Sequence, residues 1–199
     1  MKTFATIVGA GLATATGLMA STSAFAAVTV IGSSPARQCY LAAREQARGV
    51  PVLPECDLAL SGGSTMDRYD TVATHVNRGI LRMYSGNTGG AIADYDAAIG
   101  IDPDQAEAWL NKGIALMRSG GSTAEALPVL DMALAKKTRE PALAYFARAL
   151  AHEDAGHVRA AYADLLKARE LAPKWSAPAR ELKRYQRRSD SSGSSAASH

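Results

Sequence analysis

Aromatic side chains are scarce in this sequence of 199 residues, where Phe, Trp and Tyr together make up 6 %. Alanine is abundant instead, and this balance favours close-packed helices over a sheet sandwich. A strong excess of one charge is also lacking, because the formal net charge is only +3. Nucleic-acid binding needs concentrated basic surface, so the overall charge gives no reason to expect it.

The motifs of common catalytic sites are missing as well. The sequence contains no Walker-type glycine loop, no G-x-S-x-G elbow and no H-E-x-x-H pattern. His152 and His157 are five residues apart, which is a poor spacing for one helical face. The acidic run from Asp94 to Asp104 lacks the glycine and the final glutamate of a calcium loop. We therefore expect no enzyme activity, no cofactor and no metal site.

The first 26 residues have the pattern of an export signal. Lys2 supplies a positive start, and the stretch from Thr3 to Ala20 is uncharged and mostly small or apolar. Ala24-Phe25-Ala26 then gives an A-x-A cleavage pattern. A membrane anchor is the alternative, but the stretch is rich in Gly, Thr and Ser and is a poor spanning helix. Residues 1–26 are therefore predicted to be a signal peptide of a periplasmic or secreted protein, and no later stretch is apolar enough to span a bilayer.

Cys39 and Cys56 are the only two cysteines. Two cysteines with no histidine nearby cannot complete a tetrahedral zinc shell. In an oxidising compartment an even pair predicts a disulfide. The alternative is two buried free thiols.

An internal repeat follows. Small residues, large apolar residues and glycines return at matching spacing in three copies, and each copy predicts two amphipathic helices joined by a glycine turn. A hairpin of this kind cannot bury its apolar face alone, so the copies must stack. The recurring positions are Gly79, Gly86, Ala91, Tyr95, Ala98 and Pro103 in the first copy, Trp109, Gly113, Gly120, Ala126, Leu130 and Ala133 in the second, and Ala149, Gly156, Ala161, Leu165, Ala168 and Pro173 in the third.

The spacing resembles that of the tetratricopeptide repeat family. The resemblance implies an all-α fold, an α-solenoid of three helix hairpins with a degenerate N-terminal cap and a C-terminal capping helix. The repeats are predicted at 72–105, 106–141 and 142–174. Pro128 falls inside the second helix of repeat two, where we expect a distorted helix but not a lost one.

The two ends of the array are predicted to be caps. Residues 27–71 form the N-terminal cap, where a Cys39–Cys56 disulfide would clamp a hairpin too small to hold itself. Residues 175–188 form a final helix with a basic face made of Arg180, Lys183, Arg184 and Arg187. Residues 189–199 are rich in serine and are expected to be disordered.

The resemblance also implies a concave groove lined by the first helix of each hairpin. Asn77 and Asn111 lie one repeat apart and are candidates to hydrogen-bond a ligand backbone. Apolar side chains at the groove positions suit an amphipathic helix or an apolar peptide. They also depart from the polar and basic set of a chaperone-type carboxylate clamp. The predicted partner-binding residues are Val76, Asn77, Ile80, Met83, Tyr84, Leu110, Asn111, Ile114, Met117, Phe146 and Leu150.

Basic side chains recur at the seventh position of each repeat. We predict ion pairs Arg78–Asp94 and Arg148–Asp164 within repeats one and three. Repeat two has Val129 near the matching acidic place, so Lys112 is predicted to be unpaired.

These features predict a non-catalytic adaptor that binds another protein or peptide. Two alternatives stay open: an accessory protein that contacts acidic envelope polymers or lipid through the basic final helix, and a subunit that associates with itself. The groove can also be filled by the protein's own N-terminal segment.

Overall fold

The computed structural model describes residues 25–30, 34–45, 53–61, 66–120 and 123–195, with side chains as far as Tyr185. Within these ranges the secondary structure is entirely helical, in agreement with the predicted all-α class. The nine helices of the described ranges are α1 Pro35–Glu45, α2 Leu53–Leu60, α3 Arg68–Tyr84, α4 Thr88–Ile101, α5 Ala106–Arg118, α6 Thr123–Ala135, α7 Pro141–Asp154, α8 Val158–Leu171 and α9 Ser176–Ser195.

Three helix hairpins form the centre of the molecule. Helices α3 and α4 pair, as do α5 and α6, and α7 and α8, while each second helix packs against the next first helix. The first helices α3, α5 and α7 also contact one another in order, so they line one side of the array. Residues 1–24 of the predicted signal peptide lie outside the described residues.

Local sequence explains where the hairpins turn. Gly86 and Gly156 have φ angles of 83° and 77°, which a residue with a Cβ rarely adopts. The backbone N–H after each glycine donates to a carbonyl five residues earlier, from Asn87 to Arg82 and from His157 to His152. This bonding satisfies the last carbonyls of α3 and α7 and reverses the chain.

The second helices end in two different ways. α4 and α8 stop at Ile101 and Leu171, two residues before a proline. Repeat two has no proline at that place, and α6 is followed instead by a left-handed Lys137 with a φ of 61°. Pro128 lies inside α6, and the helix continues through it, so the helix is not lost, in agreement with that part of the prediction.

Small residues allow the helices of each hairpin to approach closely. Ala91, Ala126 and Ala161 are all fully buried. Tyr95 lies against Gly79, and Leu130 lies against Gly113, so the large residue of the second helix fills the space that a glycine on the first helix leaves open. The repeat signature therefore reflects the packing of a large residue on the second helix against a small residue on the first.

The N-terminal cap is a short hairpin packed on α3. α1 and α2 contact each other and α3, and the Cys39–Cys56 disulfide joins them with a Cα–Cα distance of 5.1 Å. The predicted disulfide is confirmed. Closing a loop of 17 residues contributes about 3 kcal/mol, mainly by restricting the unfolded chain.

The final helix is longer than predicted. The sequence pattern predicts its end at Arg188 and a disordered tail over 189–199, whereas the backbone is helical to Ser195. Once a helix has nucleated on a packed surface, each further residue adds one backbone hydrogen bond without a new nucleation cost. Low apolar content was therefore insufficient evidence for disorder at 189–195.

Candidate functional site

The groove is occupied by an extended segment of the chain itself, residues 25–30, which we call the N-terminal strand. The carboxamide of Asn111 accepts from the backbone N–H of Ala26 and donates to its carbonyl, both at 3.1 Å. Asn77 does the same with Val28, at 2.9 Å for the N–H and 2.7 Å for the carbonyl. The two asparagines therefore hold alternate residues of one strand.

This arrangement imitates a β-ladder. In an antiparallel pair, two residues exchange both N–H···O=C bonds, and here each carboxamide takes the place of the neighbouring strand. Alternate residues of a strand point their backbone groups to the same side. Asn77 and Asn111 lie one repeat apart, so one repeat of the array corresponds to two residues of the strand. The third repeat has Ala147 at the equivalent place, which has no side-chain hydrogen-bonding group.

The side chains of the N-terminal strand are mostly buried. Ala26, Val28 and Val30 share one face and are at most 6 % exposed, whereas Thr29 is exposed. Phe25 is also buried and meets the Tyr84 ring edge-on, with 5.3 Å between ring centroids. The Arg118 guanidinium lies 5.9 Å from the centre of the Phe25 ring, in the range of a cation–π contact.

A cleft of about 250 Å³ opens beside the first half of the strand. Its wall includes a buried carboxylate, Glu107, which accepts from the backbone N–H of Arg139 at 3.0 Å and from its Nε at 3.2 Å. Two basic and two acidic side chains line the cleft, so their formal charges sum to zero. Its lining residues are Phe25, Ala26, Ala27, Tyr40, Arg44, Glu107, Arg139 and Glu140.

The predicted groove residues divide between two clusters. Seven of them belong to the main core, which also contains Phe25, Ala26, Val28 and Val30 of the strand. They are Val76, Ile80, Met83, Tyr84, Leu110, Ile114 and Met117. Phe146 and Leu150 belong to the second cluster with α9, where the Phe146 ring lies 4.8 Å from that of Trp175. The structure therefore places these two with the C-terminal cap and does not bring them to the strand.

The predicted ion pairs within repeats one and three are present. Arg78 bonds Asp94 at 2.6 Å, and Arg148 bonds Asp164 at 2.7 Å. Lys112, in contrast, is not unpaired as predicted, because its Nζ lies 2.6 Å from Asp96 in the preceding hairpin.

The prediction for Lys112 was wrong because a second set of acidic residues recurs along the array. Each basic side chain at the seventh position also reaches an acid on the second helix of the preceding hairpin. For Arg78 that hairpin is the N-terminal cap. The contacts are Arg78 with Asp57 at 2.7 Å, Lys112 with Asp96 at 2.6 Å and Arg148 with Asp131 at 2.6 Å. The recurrence of Asp57, Asp96 and Asp131 was visible in the sequence, and it links successive units.

Asp94 is the most heavily bonded carboxylate of the hairpins. It is 2 % exposed and accepts from His75 at 3.2 Å, from Arg78 at 2.6 Å and from Arg82 at 2.8 Å. Burial raises the pKa of Asp94, but the hydrogen bonds from His75 and Arg78 and the charges of Arg78 and Arg82 lower it below its ordinary value. Asp94 thus acts as a structural anion and not as a proton donor.

The basic face of α9 is partly neutralised by its own surroundings. Arg184 pairs with Glu153 and, at 2.7 Å, with Glu181. Arg180 donates to the Ser176 hydroxyl at 2.8 Å. Lys183 is exposed, and the side chain of Arg187 lies outside the described part.

His152 and His157 come together at the turn between α7 and α8, with 3.3 Å between their Nδ1 atoms. Their spacing along one helix had suggested separation, but the turn at Gly156 brings them together. In the described part of the chain no three His, Cys, Asp or Glu residues are arranged to hold a metal ion. Among the described helices, none is long and apolar enough to cross a membrane.

Comparison with known proteins supports the repeat assignment. The sequence profile described as "TPR repeat" matches residues 79–120. The solved structure "MamA RS-1 ArsTM double mutant" is 22 % identical with a TM-score of 0.62, and the alignment covers 81 % of this chain and 88 % of that one. "MamA 41-end from Desulfovibrio magneticus RS-1" is 21 % identical with a TM-score of 0.62, covering 84 % and 92 %. At such identities the likeness concerns the fold. No curated protein sequence matches this chain.

Arrays of this type are typically non-catalytic scaffolds whose concave surfaces bind other proteins. The repeats therefore support a role in protein–protein interaction. The predicted resemblance to the tetratricopeptide repeat family is confirmed for residues 79–120, and the predicted fold, an all-α solenoid, is confirmed.

Proposed function

We propose that this protein is an exported, non-catalytic adaptor that binds a partner peptide in extended conformation along the groove of Asn77 and Asn111. The observation that carries the proposal is the N-terminal strand, which occupies the groove through backbone bonds at Ala26 and Val28. Those bonds are to main-chain atoms, so any extended peptide of suitable side-chain size offers the same groups.

The geometry favours an extended peptide over an amphipathic helix. The backbone N–H and C=O groups in the middle of a helix are bonded to each other. They are not available to Asn77 and Asn111, whose carboxamides are fully buried and need partners. A strand has free groups on alternate residues, which matches the two-residue spacing between the asparagines.

Export is supported by two independent features. Residues 1–26 have the signal-peptide pattern, and the Cys39–Cys56 disulfide belongs to an oxidising compartment. The adaptor would then work in the periplasm or outside the cell.

In the exported protein residues 27–30 of the N-terminal strand remain, and Val28 competes with a partner peptide for Asn77. Competition of this kind reduces the apparent affinity for the partner peptide in proportion to the fraction of molecules whose groove is open. A partner peptide must displace the strand, and its affinity should rise when the strand is weakened.

The test uses this competition. Val28→Pro removes the N–H that bonds Asn77 and should release the strand. Fluorescence anisotropy would then measure binding of a labelled peptide with the sequence of residues 25–30. We expect tighter binding to the Val28→Pro protein than to the unchanged protein, and loss of that gain when Asn77→Leu is added.

Thr29→Ser is the matched control, since it alters the neighbouring exposed residue, keeps the hydroxyl that hydrogen-bonds Tyr40 and leaves the Val28 N–H in place. It should leave peptide binding unchanged. Equal binding by Val28→Pro with and without Asn77→Leu would show that the groove is not the peptide site. Association of the Val28→Pro protein with itself, seen by light scattering, would favour a second copy as the partner.

A further inference from the structure

We infer that signal cleavage after Ala26 converts half of the groove into a receptor for a protein C-terminus that ends in an aromatic residue followed by a small one. In this arrangement the new α-ammonium of Ala27 pairs with the carboxylate of that C-terminus. The inference rests on the proposed export and deepens the proposed peptide binding by stating what kind of peptide fits.

The predicted cleavage point lies inside the N-terminal strand. Phe25 and Ala26 belong to the signal peptide, whereas residues 27–30 remain with the mature chain. In the structure Asn77 makes both of its bonds to Val28, and the side chains of Val28 and Val30 are fully buried; all of these groups lie on the retained side of the cut. The retained part of the strand therefore remains anchored in repeat one.

Cleavage vacates the other half of the site. Asn111 is fully buried, and both of its hydrogen bonds within the structure go to Ala26. The faces of Tyr84 and Arg118 that meet Phe25 also lose their contact. Once Ala26 leaves, the carboxamide of Asn111 faces the vacated site without its two protein partners, so an occupant that restores both bonds is favoured.

The retained strand dictates how an occupant must end. Ala27 fills the next place in the groove, so an incoming chain that runs in the same direction cannot continue past the position of Ala26. Only a chain whose last residue takes the place of Ala26 fits without displacing Val28. Its carboxylate then faces the α-ammonium of Ala27, and a charge-assisted bond replaces the former peptide bond.

The spacing permits this replacement. A peptide C–N bond is about 1.33 Å long, and an ion pair needs about 2.8 Å between nitrogen and oxygen. The two chain ends must therefore separate by at least about 1.5 Å along the groove. A cleft of about 250 Å³ is lined by both Ala26 and Ala27, so the two residues at the cut bond border open space.

Side-chain burial sets the preferred residues. Ala26 is 6 % exposed, so the last residue of the occupant must be small. Phe25 is 3 % exposed between Tyr84 and Arg118, so the residue before it should be aromatic. The chemistry of the partner is thus an extended C-terminal tail ending in an aromatic and a small residue, with a free carboxylate.

The experiment compares two forms of the protein with two forms of one peptide. One protein starts at Ala27, as confirmed by intact mass of the exported chain, and the other starts at Phe25 behind an initiating methionine. The peptide Ser-Thr-Ser-Ala-Phe-Ala is made with a free C-terminal acid and with a C-terminal amide. Isothermal titration calorimetry measures each pair.

We expect the acid peptide to bind the protein that starts at Ala27, and the amide to bind about tenfold more weakly, as expected for loss of one charge-assisted bond. The protein that starts at Phe25 should bind neither peptide, because its own residues fill the site. Asn111→Leu in the shorter protein should abolish binding, and its melting temperature will report whether it folds. The protein that starts at Phe25 has every groove residue unchanged, so its failure to bind would show that its own residues 25 and 26 block the site.

Three results would overturn the inference. These are a mature N-terminus other than Ala27, equal affinity for the acid and amide peptides, and binding by the protein that still contains Phe25 and Ala26. The Val28→Pro experiment tests the proposed function separately. If the Val28→Pro protein binds the labelled peptide of residues 25–30 while the acid peptide fails to bind the protein that starts at Ala27, the groove is a peptide site but the C-terminal preference is wrong.

Discussion

Gly79→Ala tests the packing rule that underlies the whole array. A Cβ built on Gly79 would lie 2.4 Å from Cε1 and 2.9 Å from Cζ of the Tyr95 ring. Real Cβ atoms do not approach so closely, and Tyr95 is fully buried, so its ring has no free direction in which to move. The substitution therefore forces α3 and α4 apart or strains the ring.

Two effects of opposite sign decide the magnitude. Alanine favours a helix over glycine by about 1 kcal/mol. Overpacking a tight core costs about 1–3 kcal/mol. Because Tyr95 cannot leave the core, we expect the second effect to prevail, with a net loss of about 1 kcal/mol and a melting temperature lower by about 2–4 °C.

Gly100→Ala is the matched control. Gly100 lies on α4, and a Cβ added there would meet no atom within 4 Å, so only the helix preference remains. This variant should gain up to about 1 kcal/mol. Thermal and urea unfolding measure the effect of both substitutions on stability.

A double substitution makes the cause specific. Repeat three already combines alanine and leucine at these places, in Ala149 and Leu165, which lie in one buried cluster. Tyr95→Leu should therefore reduce the penalty of Gly79→Ala. If Gly79→Ala were as stabilising as Gly100→Ala, or equally harmful with leucine at 95, the explanation of the small–large pairing would be refuted.

The remaining predictions concern the cap, an ion pair and the strand. Replacing Cys39 and Cys56 by alanine should cost about 3 kcal/mol, measured by urea unfolding, and adding reductant to that double variant should change nothing further. Because folded Asp94 has a lowered pKa, its stabilisation is complete above the unfolded value near pH 4 and is lost as the pH falls further. Asp94→Asn should therefore lower the melting temperature at pH 7 and flatten its fall below pH 4, and an unchanged acid slope would contradict this. Asn77→Leu should leave global stability largely intact but speed hydrogen exchange at the Val28 amide, since the strand can detach without unfolding the helices; unchanged protection there would refute the assigned bond.

Part of the site was within reach of the sequence. The places of Asn77 and Asn111 followed from their recurrence in the repeat, and their suitability for a peptide backbone followed from their chemistry. The predicted pairs Arg78–Asp94 and Arg148–Asp164 are present for the same reason, since both partners recur within one hairpin. Lys112 was misjudged because its partner lies in the preceding hairpin, a place that a comparison within single repeats does not examine.

The fold itself was determined by the sequence. Small residues such as Ala91 and Ala161 return at helical spacing opposite a large apolar residue. These residues are buried when paired helices pack closely and successive pairs stack. Each of these contacts is local or joins neighbouring repeats, so the spacing along the chain is enough to predict them.

What fills the groove was decided only by the tertiary structure. The bonds from Asn77 to Val28 and from Asn111 to Ala26 join residues 49 and 85 positions apart. The strand and the asparagines share no periodicity, and self-occupancy was only one of several alternatives that the sequence left open. Its assignment needed the position of residues 25–30 relative to α3 and α5, which depends on how the cap packs and not on any local pattern.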